Sequence, residues 1–420
     1  MKQQLKISLA FVGLLVGAGF ATGLEVVQYF ISFGLTGLWG VLISGLVMTA
    51  AGAVFLQLGS YFMAREHHGV FRRIAHPAVS RTLDIAVTGT LFCVGFVMLA
   101  GAGSNLEQQF GIPIWGGSLI MVVLVMLVGL LDVDKVTNVI SSLTPLLIIA
   151  IFVAFIVTLL NFPGDLGSLS EQAASEDSPV APWWLSALNY NGLALILGVS
   201  MSLVIGGAHT NLRAAGRGGL FGGILYMLLL GMAAFTLLAN IETIAGDDVP
   251  MLSLFDSLHP ALALFMSVVI FMMIFSTAIS MFYALGKRVT AAHPQRYAPV
   301  FLGLCAAGFG VSFVGFDTLM AYVYPVLGYV GLVMVALLVG WRVMSRRRFT
   351  RETDRRKHLY ALQEQCGDAD ARQRDAAESE LEEVLEESDA DSDRLRQVMT
   401  DEIEVAAVQS GARHQGAAKN

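Results

Sequence analysis

The sequence predicts an all-α membrane protein with ten transmembrane helices. Three observations support this fold class. Hydrophobic residues make up 55% of the 420 residues and charged residues only 14%, whereas a soluble domain carries roughly 25% charged residues. Ten apolar stretches approach or exceed the roughly 20 residues that a helix needs to cross the bilayer. Lysine and arginine are confined to alternate connections between these stretches, as membrane topology requires.

The ten predicted spans are apolar segments separated by polar or charged connections. They are Ile7–Phe33, Leu38–Ala64, Leu83–Phe110, Ile114–Leu131, Val136–Asn161, Trp184–Ala208, Gly218–Ile241, Ala261–Gly286, Pro299–Phe313 and Thr318–Trp341. An alternative treats the first 21 residues as a cleaved signal peptide, because two lysines precede an apolar run there. The run continues through Glu25 to Phe33, which favours a retained first helix.

The positions of the positive residues predict the orientation, because lysine and arginine are retained in cytoplasmic loops. With the N-terminus inside, every lysine and arginine outside the tail lies on the cytoplasmic side, and the external connections contain none. The external connections carry acidic residues instead, namely Asp165, Glu171, Glu176, Asp177, Glu242, Asp247, Asp248 and Asp256. Both termini are therefore expected in the cytoplasm.

Ten spans divide into two groups of five, and a repeat unit with an odd number of helices places its second copy upside down in the membrane. The sequence thus predicts a 5+5 inverted repeat, in which the first helix of each half is broken. The first span contains the run GAGFATGLE from Gly17 to Glu25, and the sixth contains NYNG from Asn189 to Gly192. Broken helices at corresponding positions are typical of a transporter's binding site.

Glu25 is the strongest single candidate for function, because a carboxylate within the hydrocarbon is energetically unfavourable. At a rise of 1.5 Å per residue, Glu25 and Asn191 each lie about 7 Å outward from the middle of their spans. The small residues from Ala100 to Ser104 in the third span reach the same layer and leave space for a ligand. The predicted substrate-binding residues are Ala21, Gly23, Glu25, Gly101, Ser104, Asn189, Tyr190 and Asn191.

Several of these residues have structural alternatives. Glycines in membrane helices commonly allow close helix packing, and Asn189 and Asn191 could simply cap two half-helices. In the eighth span, the hydroxyls of Ser276 and Thr277 either bond back to their own backbone carbonyls or complete an oxygen cage for a small hard cation.

The run from Gly17 to Glu25, followed by Tyr29 and Phe30, resembles the signature of the YkvI family of bacterial membrane proteins. That family is similar to the LeuT-fold transporters of the amino acid, polyamine and organocation superfamily. The resemblance covers roughly residues 5 to 342 and implies a LeuT-like fold in the bacterial cytoplasmic membrane. In this fold a bundle of helices one, two, six and seven rocks against a scaffold, and the substrate binds at the breaks of helices one and six.

The resemblance also implies a sodium site. Gly19 and Thr22 match positions whose carbonyls hold sodium in sodium-coupled LeuT-fold proteins. Ser276 and Thr277 match the hydroxyl pair of helix eight. A second sodium site is not expected, because valine replaces the asparagine ligand at position 26. Glu25 replaces a small residue, so it could instead take a proton, neutralise a cation or meet an amine.

The composition changes after Val343, where 31 of the 59 charged residues lie, 18 of them acidic and 13 basic. We therefore divide the chain into a transporter domain, 1–343, and a charged cytoplasmic tail, 344–420. The tail is expected to be partly helical and partly disordered, and a cytoplasmic partner of the tail remains an open alternative. Between spans seven and eight, the apolar segment from Val249 to Leu258 is either a helical lid or an ordinary loop helix.

These features predict secondary active transport of a small organic solute, an amino acid or a related amine or zwitterion, coupled to sodium or protons. No Walker-type sequence is present for self-contained ATP drive. The three cysteines form no C-x-x-C pair, so a zinc site or disulfide framework is not expected. Apart from sodium no cofactor is expected, and the partners are substrate and lipid rather than nucleic acid. The alternative function is a non-transporting sensor or a membrane-embedded enzyme.

Overall fold

The computed structural model describes residues 2–130, 143–162, 164–368 and 371–403, and within them the secondary structure is helical. The helices are α1 (Lys2–Leu15), α2 (Ala18–Thr22), α3 (Leu24–Tyr29), α4 (Leu35–Phe62), α5 (His67–Ile74), α6 (Pro77–Phe110), α7 (Ile114–Gly129), α8 (Leu143–Leu160), α9 (Leu166–Ala173), α10 (Trp183–Gly207), α11 (Leu212–Ala239), α12 (Ile241–Ile244), α13 (Pro250–Leu258), α14 (Pro260–Val289), α15 (Tyr297–Ser312), α16 (Phe316–Met344), α17 (Arg346–Asp368) and α18 (Ala371–Glu386). Short 3-10 turns cover Ile31–Phe33 and Pro294–Arg296.

Within the described residues, six helices are long and apolar enough to cross a membrane: α4, α6, α10, α11, α14 and α16. They coincide with the predicted second, third, sixth, seventh, eighth and tenth spans. Shorter helices occupy the first, fourth, fifth and ninth. The start of the predicted fifth span, from Val136 to residue 142, lies outside the described residues. The number of ten membrane crossings and the inverted repeat remain predictions.

The break predicted in the first span is present. Helix α1 ends at Leu15, and Gly17 is extended, with φ −100° and ψ −170°. Gly23 separates α2 from α3 with φ +84°, a left-handed conformation that favours glycine. A Cβ at Gly23 would also lie 3.3 Å from the backbone nitrogen of Met251 in α13. The first membrane segment is thus interrupted twice within seven residues.

The break predicted in the sixth span is wrong, because α10 is one continuous helix from Trp183 to Gly207. The residues that suggested a break have other roles. A Cβ on Gly192 would overlap the carbonyl oxygen of Gly328, and a Cβ on Gly331 would overlap that of Gly192. Glycine therefore lets α10 and α16 approach to backbone contact, which is how small residues commonly act between membrane helices.

The described part of the tail is helical and packs on the ends of the membrane helices that are predicted to face the cytoplasm. Arg356 of α17 is 3% exposed and donates to the carbonyl oxygens of Ser60 (2.8 Å), Tyr61 (2.9 Å) and Thr210 (3.0 Å). Its Nε donates to Glu352, also buried, at 2.9 Å. This guanidinium therefore ties the tail to the end of α4 and to the connection between α10 and α11.

Two further contacts extend this attachment. An apolar cluster joins the end of α4 to α17, α18 and segment 390–403. Its buried members are Met63, Leu359, Leu362, Leu381, Leu385, Ala390, Leu395, Val398 and Met399. Glu402 accepts from Gln3 of α1 at 3.0 Å and also contacts His209 and Tyr360. Burial raises the pKa of the Glu402 carboxyl, but hydrogen bonds, first that of His209, hold it below its usual value.

Candidate functional site

The site is centred on Glu25, at the start of α3 and directly after the left-handed Gly23. Its side chain is 9% exposed and folds back over α2, so that a Cβ added to Gly19 would overlap its Oε1 and Cδ. The carboxylate has no hydrogen-bond or ion-pair partner among the residues that the structure describes. Glu25 is therefore a buried acceptor group without a donor.

Four deeply buried tyrosines from four helices lie near this carboxylate. They are Tyr29 of α3, Tyr190 of α10, Tyr226 of α11 and Tyr324 of α16, and a negative charge on Glu25 would act on the phenol of each. Ring centroids of Tyr29 and Tyr190 are 5.6 Å apart, and the Tyr190 and Tyr226 hydroxyls lie 2.5 Å apart. The Tyr29 hydroxyl is buried and has no partner among the described residues. The break in the first segment thus faces an aromatic wall.

The polar stripe predicted along the first span, Thr22, Glu25, Gln28 and Ser32, is buried throughout. Its members face the protein rather than lipid, as their spacing indicates. Nε2 of Gln28 donates to Asp317 of α16 at 2.7 Å, while its Oε1 has no partner within the described chain. Ser32 donates to the Gln28 carbonyl at 2.9 Å.

Helix α13, predicted as a lid or loop helix, lies over the break on the side where external loops are expected. Its Met251 approaches Gly23 as described above. Just before it, Asp248 accepts from Ser104 at 2.5 Å, and Gln108 donates to the Val249 carbonyl at 3.2 Å. These bonds attach the segment to α6, so Ser104 holds the cover of the site.

The space predicted between Ala100 and Ser104 is occupied by packing. A Cβ on Gly101 would come within 2.9 Å of the Phe316 ring, and one on Gly103 within 2.5 Å of the Ile114 carbonyl oxygen. Gly101 therefore packs against α16 and Gly103 against α7. The structural alternative stated for these glycines agrees with their contacts.

Of the three residues of α10 that were predicted to bind substrate, Asn189 and Asn191 make structural hydrogen bonds and Tyr190 lies at the site. Asn189 donates to the Pro325 carbonyl at 2.9 Å, so it connects α10 to α16. Asn191 donates to the Ala187 carbonyl at 2.8 Å within its own helix and accepts from Ser44 at 3.2 Å. Only Tyr190 joins the aromatic wall. Ala21, in α2, is fully buried.

The four predicted sodium ligands lie on α2 and α14, two helices that pack against each other. The Thr22 hydroxyl donates to the Gly19 carbonyl at 2.8 Å, and the Thr277 hydroxyl to the Met273 carbonyl at 3.1 Å. Ser276 is half-buried. Each hydroxyl oxygen that donates in this way keeps lone pairs to accept or coordinate. In the described chain, no group of three or more His, Cys, Asp or Glu side chains is placed to hold a metal.

A polar cluster joins four helices at the side that is predicted to face the cytoplasm. Arg288 at the end of α14 donates to Nε2 of His67 in α5 at 3.0 Å and pairs with Asp84 of α6. Because a guanidinium only donates, Nε2 of His67 must be unprotonated, and Nδ1 then donates to Ser200 of α10 at 2.8 Å. Burial, together with Arg288, lowers the pKa of His67 to about 4. The cluster joins α5 and α10 to α6 and α14.

Tyr29, Tyr226 and Tyr324 were not among the residues predicted to form the site. Tyrosine within an apolar span carries no distinguishing signal, since it is equally common as a packing residue. The only local signal was that Tyr324 directly precedes Pro325, which interrupts the hydrogen bonding of α16.

Comparisons with known proteins agree with this architecture. No family model matches the chain. Over 343 residues, 81% of this chain and 97% of the relative, it is 29% identical to the uncharacterized membrane protein YkvI of Bacillus subtilis (strain 168). It is 22% identical to YyaD of the same organism over 81% of this chain and 98% of that one. The resemblance to the YkvI family is thereby confirmed.

Solved structures show the same fold. MhsT in complex with L-phenylalanine aligns with a TM-score of 0.60 and 16% identity, covering 83% of this chain and 91% of that one. Mhp1, a nucleobase-cation-symport-1 family transporter in a closed conformation with bromovinylhydantoin bound, aligns with a TM-score of 0.57 and 12% identity, covering 82% and 79%. Both are LeuT-fold transporters.

Proposed function

Because the chain is a homologue of the membrane protein YkvI and has the fold of the LeuT-type transporters, we propose that it is a secondary active transporter of a small organic solute. The solute is an amino acid or a related amine or zwitterion, and its movement is coupled to sodium or protons. The observation that carries this proposal is Glu25, a buried carboxylate without a partner in the described chain, placed on a broken helix. Such a group within a membrane segment is expected to be functional.

The proposal includes the topology predicted from the sequence. Residues 1–343 form a transporter domain of ten membrane helices in an inverted repeat, in the bacterial cytoplasmic membrane with both termini inside. The broken first segment supports this arrangement, although the continuous α10 means that the two halves are not equivalent at their first helices. The charged tail, 344–420, lies on the cytoplasmic face.

Closure on both sides supports alternating access. On the outer side, α13 covers Gly23 and is held through Asp248 and Ser104. On the inner side, His67 bonds to Ser200 of α10, in the bundle, and to Arg288 of α14, in the scaffold, so it joins the two parts that would have to separate. The residues between these two closures can exchange ligand only when one of them opens. Ligand binding that favours one opened state over the other would drive the exchange.

Sodium is proposed to bind the carbonyl oxygens of Gly19 and Thr22 and the hydroxyls of Ser276 and Thr277. Neutral oxygens suit a singly charged hard ion, whereas Ca²⁺ and Mg²⁺ are generally held by one or more carboxylates. Bound sodium would supply a positive charge beside the break. The chain's own contribution is to hold the oxygens in place, through the hydroxyl of Thr22 on the Gly19 carbonyl.

The test is uptake into proteoliposomes containing the purified full chain, with amino acids, amines and nucleobases as labelled solutes. We expect concentrative uptake of at least one solute under an inward sodium or proton gradient, and exchange of internal for external solute without a gradient. Binding without uptake or exchange would favour the sensor alternative. Chemical conversion of a solute would favour a membrane-embedded enzyme.

A further inference from the structure

The charge at the site restricts the substrate class. Glu25 is the ionisable carboxylate at the break, and no lysine or arginine pairs with it among the described residues. A solute with a carboxylate of its own would place a second negative charge close to the first. A solute with only a positive charge would supply the partner that the buried carboxylate lacks.

The buried side-chain atoms of α3 that lack a hydrogen-bond partner among the described residues can all act as acceptors, so they also favour a ligand that donates. Besides the Glu25 carboxylate, the buried Gln28 Oε1 and Tyr29 hydroxyl have no partner in the described chain. The amide oxygen can only accept, and the hydroxyl can accept. An ammonium has up to three donors and no acceptor, so it matches these atoms, whereas a carboxylate requires donors.

The aromatic wall favours a cation for a separate reason. The faces of Tyr29 and Tyr190, whose rings are 5.6 Å apart, carry the negative end of the ring quadrupole. A desolvated ammonium is attracted to such faces when it lies within about 6 Å of the ring centroid. Tyr226 and Tyr324 extend the same wall, and all four tyrosines are almost completely buried.

The outer approach to the site is also negative. Asp317 is held by Gln28 of the site helix at 2.7 Å, and Asp248 by Ser104 at 2.5 Å. The negative charges of Asp248 and Asp177 act on Asp317. The predicted external connections contain no lysine or arginine. A cleft lined by one sign of charge raises the local concentration of the opposite ion.

We propose that the substrate is an organic cation, a protonated amine without a carboxylate, whose ammonium lies between Glu25 and the rings of Tyr29 and Tyr190. This inference rests on the proposed transport function and narrows its substrate class. Open space exists next to the break, since a Cβ at Gly17 would meet nothing within 4 Å. The apolar part of the amine would extend among the ring faces, where it is removed from water.

The experiment compares amines with the amino acids from which they differ only by the carboxylate. The pairs are isobutylamine with L-valine, phenethylamine with L-phenylalanine, and putrescine with L-ornithine. Each is added to the purified full chain in a thermal-shift titration and then tested by exchange in proteoliposomes. We expect at least one amine to give a saturable rise in Tm and to be exchanged. Its affinity should exceed that of the matching amino acid by ~10-fold or more, which corresponds to about 1.4 kcal/mol.

Three variants locate the binding. Glu25→Gln removes the charge and should abolish the amine-induced rise in Tm. Tyr29→Phe keeps the ring but removes the free hydroxyl, so affinity should fall several-fold without being lost. Asp165→Asn removes an external carboxylate that caps α9 and should leave binding unchanged.

The outcomes separate the two proposals. Exchange of an amino acid with no binding of its amine overturns the cation proposal and leaves transport standing. Amine binding without exchange overturns transport and supports the cation site. Amine binding that persists in Glu25→Gln, or no binding by any of the three amines, overturns the cation proposal.

Discussion

The carboxylate of Glu25 occupies the place that a Cβ of residue 19 would need, so Gly19 and Glu25 are packed as a pair across the break at Gly23. Gly19 lies in the helical α2, and glycine is therefore required there for space rather than for backbone conformation. The same short segment supplies two of the proposed sodium ligands, Gly19 and Thr22, and the proposed substrate carboxylate. A change at one of these positions is expected to affect the other.

Gly19→Ala should displace the Glu25 side chain and lower substrate exchange by ~10-fold or more, equivalent to about 1.4 kcal/mol in affinity. Gly89→Ala is the matched control, because Gly89 also lies within a helix, α6, and its added Cβ meets nothing within 4 Å. Exchange in proteoliposomes and the Tm of each variant measure the effect. Equal exchange by both variants would show that the placement of Glu25 over Gly19 is unimportant.

Glu25→Gln should leave expression and folding nearly intact, because the amide keeps the size of the carboxylate, but it should abolish or uncouple transport. Uptake measured from about pH 5 to about pH 8 checks this, since a carboxylate that carries the coupled proton would make wild-type uptake pH-dependent. If the variant transports like wild type throughout this range, Glu25 has no role in substrate binding or coupling.

Sodium should stabilise the protein while potassium at equal ionic strength should not. A ligand that binds only the folded state stabilises it by RT ln(1 + [Na⁺]/Kd), which is about 1.4 kcal/mol at ten times Kd. The double variant Ser276→Ala and Thr277→Ala should lose this difference and keep the potassium baseline.

Thr290→Ala is the control for this double variant. The Thr290 hydroxyl also bonds back to a backbone carbonyl, that of Gly286 at 2.7 Å, but it lies at the C-terminal end of α14. Equal Tm values in the two salts for wild type, with uptake that persists without sodium, would contradict the sodium site and favour proton coupling.

Gly192→Ala should destabilise the protein by about 1–3 kcal/mol, as overpacking of a close interface does. The added methyl group would overlap the Gly328 carbonyl and force α10 and α16 apart. Gly303→Ala, on α15, meets nothing within 4 Å and should have little effect. The Tm of each variant, compared with that of wild type, measures the effect. A Gly192→Ala variant as stable as wild type would show that the close approach of α10 and α16 at this position does not contribute to stability.

Arg356→Ala should release the tail, because it removes bonds to three carbonyls and one of the two arginines that pair with the buried Glu352. Removing one member of a buried ion pair costs about 3–5 kcal/mol. Limited proteolysis of the full chain should then cut the tail faster than in wild type. Lys357→Ala is the control, since that pair with Asp354 is 60% exposed on both sides and is worth at most about 1 kcal/mol. Equal cleavage of the two variants would show that Arg356 does not secure the tail.

The sequence alone was sufficient for the membrane class, the positions of the helices and the break in the first segment. Each depends on local properties: apolar length, the position of positive charge, and a left-handed backbone at Gly23 that glycine readily adopts. Glu25 was recognisable for the same reason, because an unpaired carboxylate in an apolar run is unfavourable wherever the helix packs. The buried stripe from Thr22 to Ser32 followed from helical spacing.

What only the tertiary structure decided depends on partners distant in sequence. Gly192 looked like a helix break, but Gly328, 136 residues later, makes it a packing contact. Gly101 looked like open space, yet Phe316 fills that space. Conversely, Tyr226 and Tyr324 acquire their place beside Glu25 only when α11 and α16 pack around α3. A glycine or tyrosine in an apolar helix has several physical uses, and the neighbour across the interface determines which one applies.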